Sequence, residues 1–154
     1  MISSPVVSVS QVMSSPVVAV TADHSVATAW EAMRERQVHH LVVLDDYGLA
    51  AVLDDRTLSA QWPAGGPEAP HRRKVGDIVR HGVQCVGPDE PAAAAARVMT
   101  ESRCDAVPVV TRTGVVVGLV TATDLVAAVA RGLVEVAGRV ETPAVRSCEH
   151  DVRG

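Results

Sequence analysis

Apolar positions along the chain follow two periods. Val26, Ala29, Trp30 and Met33 fall at i, i+3, i+4 and i+7, one stripe on a helix surface. Leu41-Val42-Val43-Leu44 is a short unbroken apolar run of the kind that forms a buried strand. Continued through the first half, the pattern predicts a strand over 17–20, then a helix capped by Asp23 and ending near Gln37. A strand over 38–44, a turn at Asp45-Asp46-Tyr47-Gly48, a return strand over 49–53 and a helix starting at Asp54 or Asp55 follow. Between residues 59 and 74 the pattern stops. Trp62-Pro63, Gly65-Gly66-Pro67 and Pro70 argue against any regular element, so this connector is expected to be disordered. The second half then predicts a strand over 83–86, an N-cap at Asp89 and a helix to Thr100 with Pro91 in its first turn. Strands over 106–110 and 115–120, joined by a turn at 111–114, lead into a helix from Thr123. Its apolar face is Leu125, Val126, Val129, Ala130, Leu133 and Val134, with Gly132 as an interruption. Beyond Arg139 the chain turns polar and is expected to fray.

The two halves are copies. With Gln11-Val12-Met13 set against Asp77-Ile78-Val79, Val17 meets Val83, Val20 meets Val86 and Asp23 meets Asp89. The helix stripe meets Ala92, Ala95, Ala96 and Met99, and Leu41 to Leu44 meets Val107-Pro108-Val109-Val110. Gly48 meets Gly114, and one extra residue in the second copy brings Ala51 to Leu58 onto Gly118 to Leu125. The fold class is therefore α+β, a tandem of strand–helix–strand–strand–helix units. Residues 10–58 form the first repeat, 59–74 the connector, 75–130 the second repeat, and 131–154 a helical extension with a flexible tail. The echo of Ser3-Ser4-Pro5-Val6-Val7 in Ser14-Ser15-Pro16-Val17-Val18 suggests a short added strand ahead of the first repeat.

Composition narrows the setting. The 154 residues suit one compact domain or two small halves sharing a core, and the 47% hydrophobic content is carried by Val, Ala and Leu, with no Phe. A net charge of -4 gives no basic surface for nucleic acid and no attraction to a membrane. No apolar run is long enough to span a bilayer, and no positive N-terminal region marks a secretory signal. Cys85, Cys104 and Cys148, an odd set without close pairing, read as reduced thiols of a cytoplasmic protein.

Catalytic signatures are missing: there is no nucleophile elbow, phosphate loop or dinucleotide fingerprint. His39 and His40 are adjacent on a strand, so they face opposite sides and do not chelate one metal. Cys148-Glu149-His150-Asp151 has ligand-like types in the expected tail, and no metal site is assigned. The basic cluster His71-Arg72-Arg73-Lys74 reads as solvated surface, with a place beside an anionic ligand as the alternative. The informative stretch is Gly118 to Leu125. Thr121 and Asp124 stand three residues apart at a helix start, a pattern that taken alone suits a capping box first, with a helix N-terminus facing phosphate as the alternative. Gly118 would let a ligand approach the backbone.

Two such copies, the second containing Val107-Pro108-Val109-Val110 and closing in Gly118-x-x-Thr121-x-x-Asp124, resemble a CBS-domain pair (a Bateman module), here stand-alone. The first copy departs from the pattern, with Val42 for the strand proline, Ala51 for Gly, Asp54 for Thr and Thr57 for Asp. The resemblance implies pseudo-two-fold packing and a central cleft for an adenosine nucleotide of the AMP, ADP or ATP class. It implies a regulatory module without catalysis or an obligatory cofactor. Asp124 would hold ribose, Thr121 and the helix start would approach phosphate, and Val83, Gln84, Cys85, Val107 and Pro108 would line the base beside Gly118. His39 and His40 would serve a phosphate from a facing module. A ligand-free dimerisation scaffold, or a binder of S-adenosylmethionine, a dinucleotide or a metal ion, are the competing readings.

Two expectations complete the reading. A homodimer should form through the helix stripes Val26/Ala29/Trp30/Met33 or Ala92/Ala95/Ala96/Met99 and the closing helices, and should act through an unknown protein effector. Asp54 and Asp55 at the first copy's helix start should repel phosphate there, leaving at most one nucleotide per chain, at Asp124.

Overall fold

The computed structural model describes residues 6–62 and 68–133. The first copy contains β1 (Ala19–Thr21), α2 (Val26–Arg36), β2 (His40–Asp45), β3 (Gly48–Asp54) and α3 (Asp55–Ser59), preceded by a short α1 (Val9–Val12). The second contains α5 (Ala92–Ser102), β4 (Ala106–Val110), β5 (Val116–Thr121) and α6 (Ala122–Ala130). β1 runs parallel to β2, which pairs antiparallel with β3, and β4 pairs antiparallel with β5.

The internal symmetry extends to backbone detail. Gln37 and Arg103, equivalent positions, both end their helices in the left-handed region, at φ 54° and 52°. Both hairpins slip register at equivalent places, between Val43 and Leu44 and between Val109 and Val110. Gly48 and Gly114 supply positive φ at the two turns, +110° and +85°, which a side chain would resist.

Several boundaries differ from the sequence reading. Ser25, not Asp23, caps α2, its hydroxyl accepting from the Thr28 amide at 3.1 Å. Asp89 does not cap α5 either: the N-cap is Pro91, without a side-chain bond. The strand expected over 83–86 is reduced to one parallel bridge between Val86 and Val109. In the first copy the Val42 amide donates to the Val18 carbonyl at 2.9 Å. Its equivalent, Pro108, has no N–H, so Gln84 receives no such bond and the ladder stops at Val86. The connector is not wholly irregular: α4 (Ala69–Arg72) forms with Pro in its first turn and Pro70 buried. Residues 63–67 and the expected tail beyond 133 lie outside the described residues.

The segments ahead of each copy are exchanged. The Val9 amide donates to Glu90 at 2.7 Å and the Ala92 amide to Val7 at 2.8 Å, stitching the N-terminal segment onto the second copy. Equivalently, the Val75 amide donates to His24 at 2.8 Å and the Val26 amide to Arg73 at 2.9 Å, stitching the post-connector segment onto the first. Val9 and Val75 are fully buried in the core opposite to their place in the sequence. Ahead of the first repeat the short helix α1 packs with the second copy, and Ser3–Pro5 of the anticipated extra strand lie outside the described residues. A third apolar group, Val42, Ala106 and Leu119, joins the two copies at the centre.

The stripes expected to form a dimer interface are spent inside the chain. Val26 and Ala29 are fully buried and Met33 nearly so, as are Ala92, Ala95 and Met99 in the second copy. Exposed apolar side chains gather instead on and after α6, at Val126, Val129 and Leu133.

Candidate functional site

Thr121 and Asp124 form a reciprocal capping box. The Thr121 amide and hydroxyl donate to Asp124 Oδ2 at 2.8 and 2.9 Å, and the Asp124 amide donates to Thr121 Oγ1 at 3.2 Å. The second carboxylate oxygen is also engaged, accepting from the Ser14 hydroxyl at 3.3 Å. Ser14 and Leu119 exchange backbone bonds at 2.9 and 3.1 Å, and the Ser15 hydroxyl donates to the Val117 carbonyl at 3.0 Å. The open side of Gly118 is occupied as well: a Cβ there would collide with Met13 Sδ and lie 3.1 Å from the Ser14 carbonyl oxygen. The absent side chain makes room for residues 13–14 of the chain itself.

A large cleft lies at the other closing motif. It measures about 800 Å³ and is walled by Asp54, Arg56 and Thr57 of the first copy and by the segment 78–84. The turn after α5, including Arg103, Cys104 and Asp105, completes it. The exchange of leading segments explains this composition. Val83 and Gln84 belong to the leading segment of the second copy but lie beside the helix start of the first. They therefore line this cleft, whereas Gly118, Thr121 and Asp124 do not. Cys85 is exposed outside it, and Val107 and Pro108 are buried within β4. The predicted site residues thus do not converge: Val83 and Gln84 lie at this cleft, Gly118, Thr121 and Asp124 at the opposite closing motif, and Cys85, Val107 and Pro108 at neither.

At the cleft Asp54 acts as N-cap of α3, accepting from the Thr57 amide at 2.6 Å. The anion-attracting potential of that helix start is met by its own carboxylate. Three arginines contribute to the wall, Arg56, Arg80 and Arg103. Among the described residues none of them has a carboxylate in ion-pair range, the pairs being His39–Asp55, His40–Asp105 and Lys74–Asp23. Partial burial raises the thiol of Cys104, an exposed residue, above the ordinary cysteine range, with the nearby Asp105 charge acting in the same direction.

The two histidines separate as their strand position requires. His39 is largely exposed and meets Asp55 at 2.8 Å, outside the large cleft. His40, with only 15% of its side chain exposed, meets Asp105 at 3.1 Å and ties the first copy to the second along the cleft wall. The basic cluster 71–74 is solvated and away from the cleft, with Lys74 paired to Asp23 at 3.3 Å. No cluster of three metal-ligating side chains occurs among the described residues, and Cys148-Glu149-His150-Asp151 lies outside them.

Sequence reasoning overlooked Arg56, Arg80, His81, Arg103, Cys104 and Asp105. The signal was present in the repeat: Arg80 and His81 are the equivalents of Ser14 and Ser15. Recognising that leading segments cross between copies would have set these side chains beside Asp54.

The family model for the CBS domain matches residues 9–60 and again residues 75–131. No curated protein is a significant match to the chain. Among solved structures, the CBS domain pair of protein MJ0100, in complex with 5'-methylthioadenosine and S-adenosyl-L-methionine, superposes with a TM-score of 0.73 at 22% identity. That match covers 83% of this chain and 99% of the other, and establishes likeness of fold. CBSX2 in complex with AMP gives a TM-score of 0.66 at 25% identity, covering 82% and 98%. The cytosolic domain of the Mg2+ channel MgtE in complex with ATP gives 0.64 at 26% identity, covering 78% of this chain and 48% of that one.

Proposed function

Because the chain belongs to the CBS domain family and carries two copies of its repeat, we propose that it is a non-catalytic regulatory module that binds an adenosine nucleotide. The nucleotide occupies the cleft between the copies, and its binding is passed to a protein effector. The observation that carries this is the cleft of about 800 Å³, lined from both copies. That size is typical of small-ligand sites, roughly 300–1,000 Å³. AMP in CBSX2 and ATP in the MgtE cytosolic domain support the ligand class. The sequence reading put the ligand at Asp124; the geometry favours the cleft beside Asp54, Val83 and Gln84. One ligand per chain remains the expected stoichiometry, at the opposite end.

A ligand-free scaffold is the second reading, favoured by one observation: both Asp124 oxygens already accept from the chain itself. A thermal-shift panel with AMP, ADP, ATP and S-adenosylmethionine separates the two. A ligand that binds only the native state raises the melting temperature with concentration. Saturable stabilisation by an adenosine compound supports the regulatory module, and a flat response across the panel leaves the scaffold.

A further inference from the structure

The cleft is asymmetric in charge, and its charge names the part of the ligand it grips. Arg56 comes from α3, Arg80 from the segment after the connector, and Arg103 from the left-handed turn that ends α5. Three elements distant in sequence thus bring arginines to the wall of one cleft, and none has a carboxylate partner among the described residues. The carboxylates on the same wall are engaged elsewhere. Asp54 accepts from the Thr57 amide, and Asp105 meets His40. The equivalent of Arg80 at the other closing motif is Ser14, which is spent on Asp124.

We infer that the cleft selects ligands by their phosphates, with Arg56, Arg80 and Arg103 as contacts to a di- or triphosphate group. This rests on the adenosine-nucleotide reading and deepens it. Guanidinium groups are weakly hydrated planar donors that match phosphate oxygens in pairs. The α3 helix start contributes nothing to an anion, because Asp54 fills it, so phosphate affinity comes from the arginines. A ligand without phosphate gains little here. S-adenosylmethionine, with a sulfonium and an ammonium against one carboxylate, meets like charge. The order of affinity is therefore ATP and ADP above AMP, with adenosine and S-adenosylmethionine lowest.

The test is calorimetry of the full chain with ATP, AMP, adenosine, S-adenosylmethionine and inorganic tripolyphosphate, repeated with Arg80→Gln and Arg103→Gln. Raising salt from about 0.1 M to about 1 M shortens the screening length from about 10 to about 3 Å. ATP affinity should fall steeply over that range. Each substitution should weaken ATP by about tenfold or more, the loss of a charge-assisted contact, and leave adenosine unchanged. Both arginines are exposed, and unchanged melting curves verify that the variants fold. Adenosine or S-adenosylmethionine binding as tightly as ATP, without salt dependence, overturns phosphate selection and leaves the adenosine site standing. Tripolyphosphate binding with no response to any adenosine compound supports the arginine site and overturns the nucleotide reading. Silence from every probe overturns both.

Discussion

Ser14 donates its hydroxyl to Asp124 Oδ1 at 3.3 Å, joining the segment ahead of the first copy to the closing helix of the second. With Thr121 on the other oxygen, the carboxylate works as a cap and a tether at once. Asp124→Ala should therefore cost about 1 kcal/mol from the lost cap, plus roughly 0.5–1.5 kcal/mol from the Ser14 bond. Nucleotide affinity in the opposite cleft should stay within about twofold, since a change of tenfold corresponds to 1.4 kcal/mol of binding energy. Denaturant melts of Asp124→Ala, Ser14→Ala and the double variant would show the coupling. A tenfold loss of nucleotide affinity would return the ligand to Asp124.

The same tether makes Gly118 sensitive. Gly118→Ala places a Cβ against Met13 Sδ and the Ser14 carbonyl. Met13 is flexible, but the Ser14 backbone is held by two bonds to Leu119. Overpacking of this kind costs about 1–3 kcal/mol. A melting temperature equal to that of the parent protein would show that residues 13–14 do not pack as described.

Exchange of leading segments predicts a non-local stability effect. Val9 and Val12 are buried against α5 and α6 of the second copy. Deleting residues 1–13 should therefore loosen the second copy first, although the deletion adjoins the first. Hydrogen exchange should show lost protection in β4 and β5 ahead of β2 and β3, because local stability follows buried contacts. Faster exchange confined to the first copy would contradict the exchange.

How much of this was readable follows from which residues carried the signal. The hairpins and helices were legible because period, turn glycines and the repeat agreed at Leu41 to Leu44, Gly48, Val107 to Val110 and Gly114. Caps were less so: Asp23 and Asp89 are good capping types, but Ser25 and Pro91 took the position. The strand at 83–86 failed on one missing amide at Pro108, an absence that matters only once its partner is known. The site was half legible. Gly118, Thr121 and Asp124 form a local motif, but its occupant is Met13–Ser14, more than a hundred residues away in sequence. Local spacing carries no information about such a contact.

The assembly prediction narrows with the structure, from the helix stripes and closing helices together to the closing helix of the second copy. The buried stripes on α2 and α5 are unavailable, whereas Val126 is 69% exposed and Val129 and Leu133 each 43%. Val126 and Val129 lie one turn apart on α6 and form an exposed apolar face, with Leu133 exposed in the turn that follows. The proposed homodimer should therefore pair through this face. Val126→Glu should convert dimer to monomer in sedimentation without lowering the stability of the isolated chain, since its side chain contributes little to the core. A parent protein that is monomeric at tens of micromolar, roughly the range of weak specific association, would remove the dimer. An assembly unaffected by Val126→Glu would move it to another face.

Cys104 offers a reporter for the cleft and for its pH behaviour. Partial burial, aided by Asp105, raises its thiol above the ordinary cysteine value, about 8.5 in model peptides. The thiolate is the reactive form, so alkylation at neutral pH should be slower than for an unperturbed thiol and should rise through a pH range above the ordinary one. The same shift fixes the sign of the linkage to folding. Below the unfolded value both states hold the proton and the contribution is intact. As pH rises through the folded value, the unfolded chain has already released its proton, and that contribution is lost. Because Cys104 lines the cleft, ATP should slow its alkylation further while leaving Cys85, outside the cleft, unchanged. Mass spectrometry of the separate peptides reads both rates in one experiment. Equal protection of Cys104 and Cys85 would indicate a global tightening of the fold, and protection of neither would empty the cleft of nucleotide.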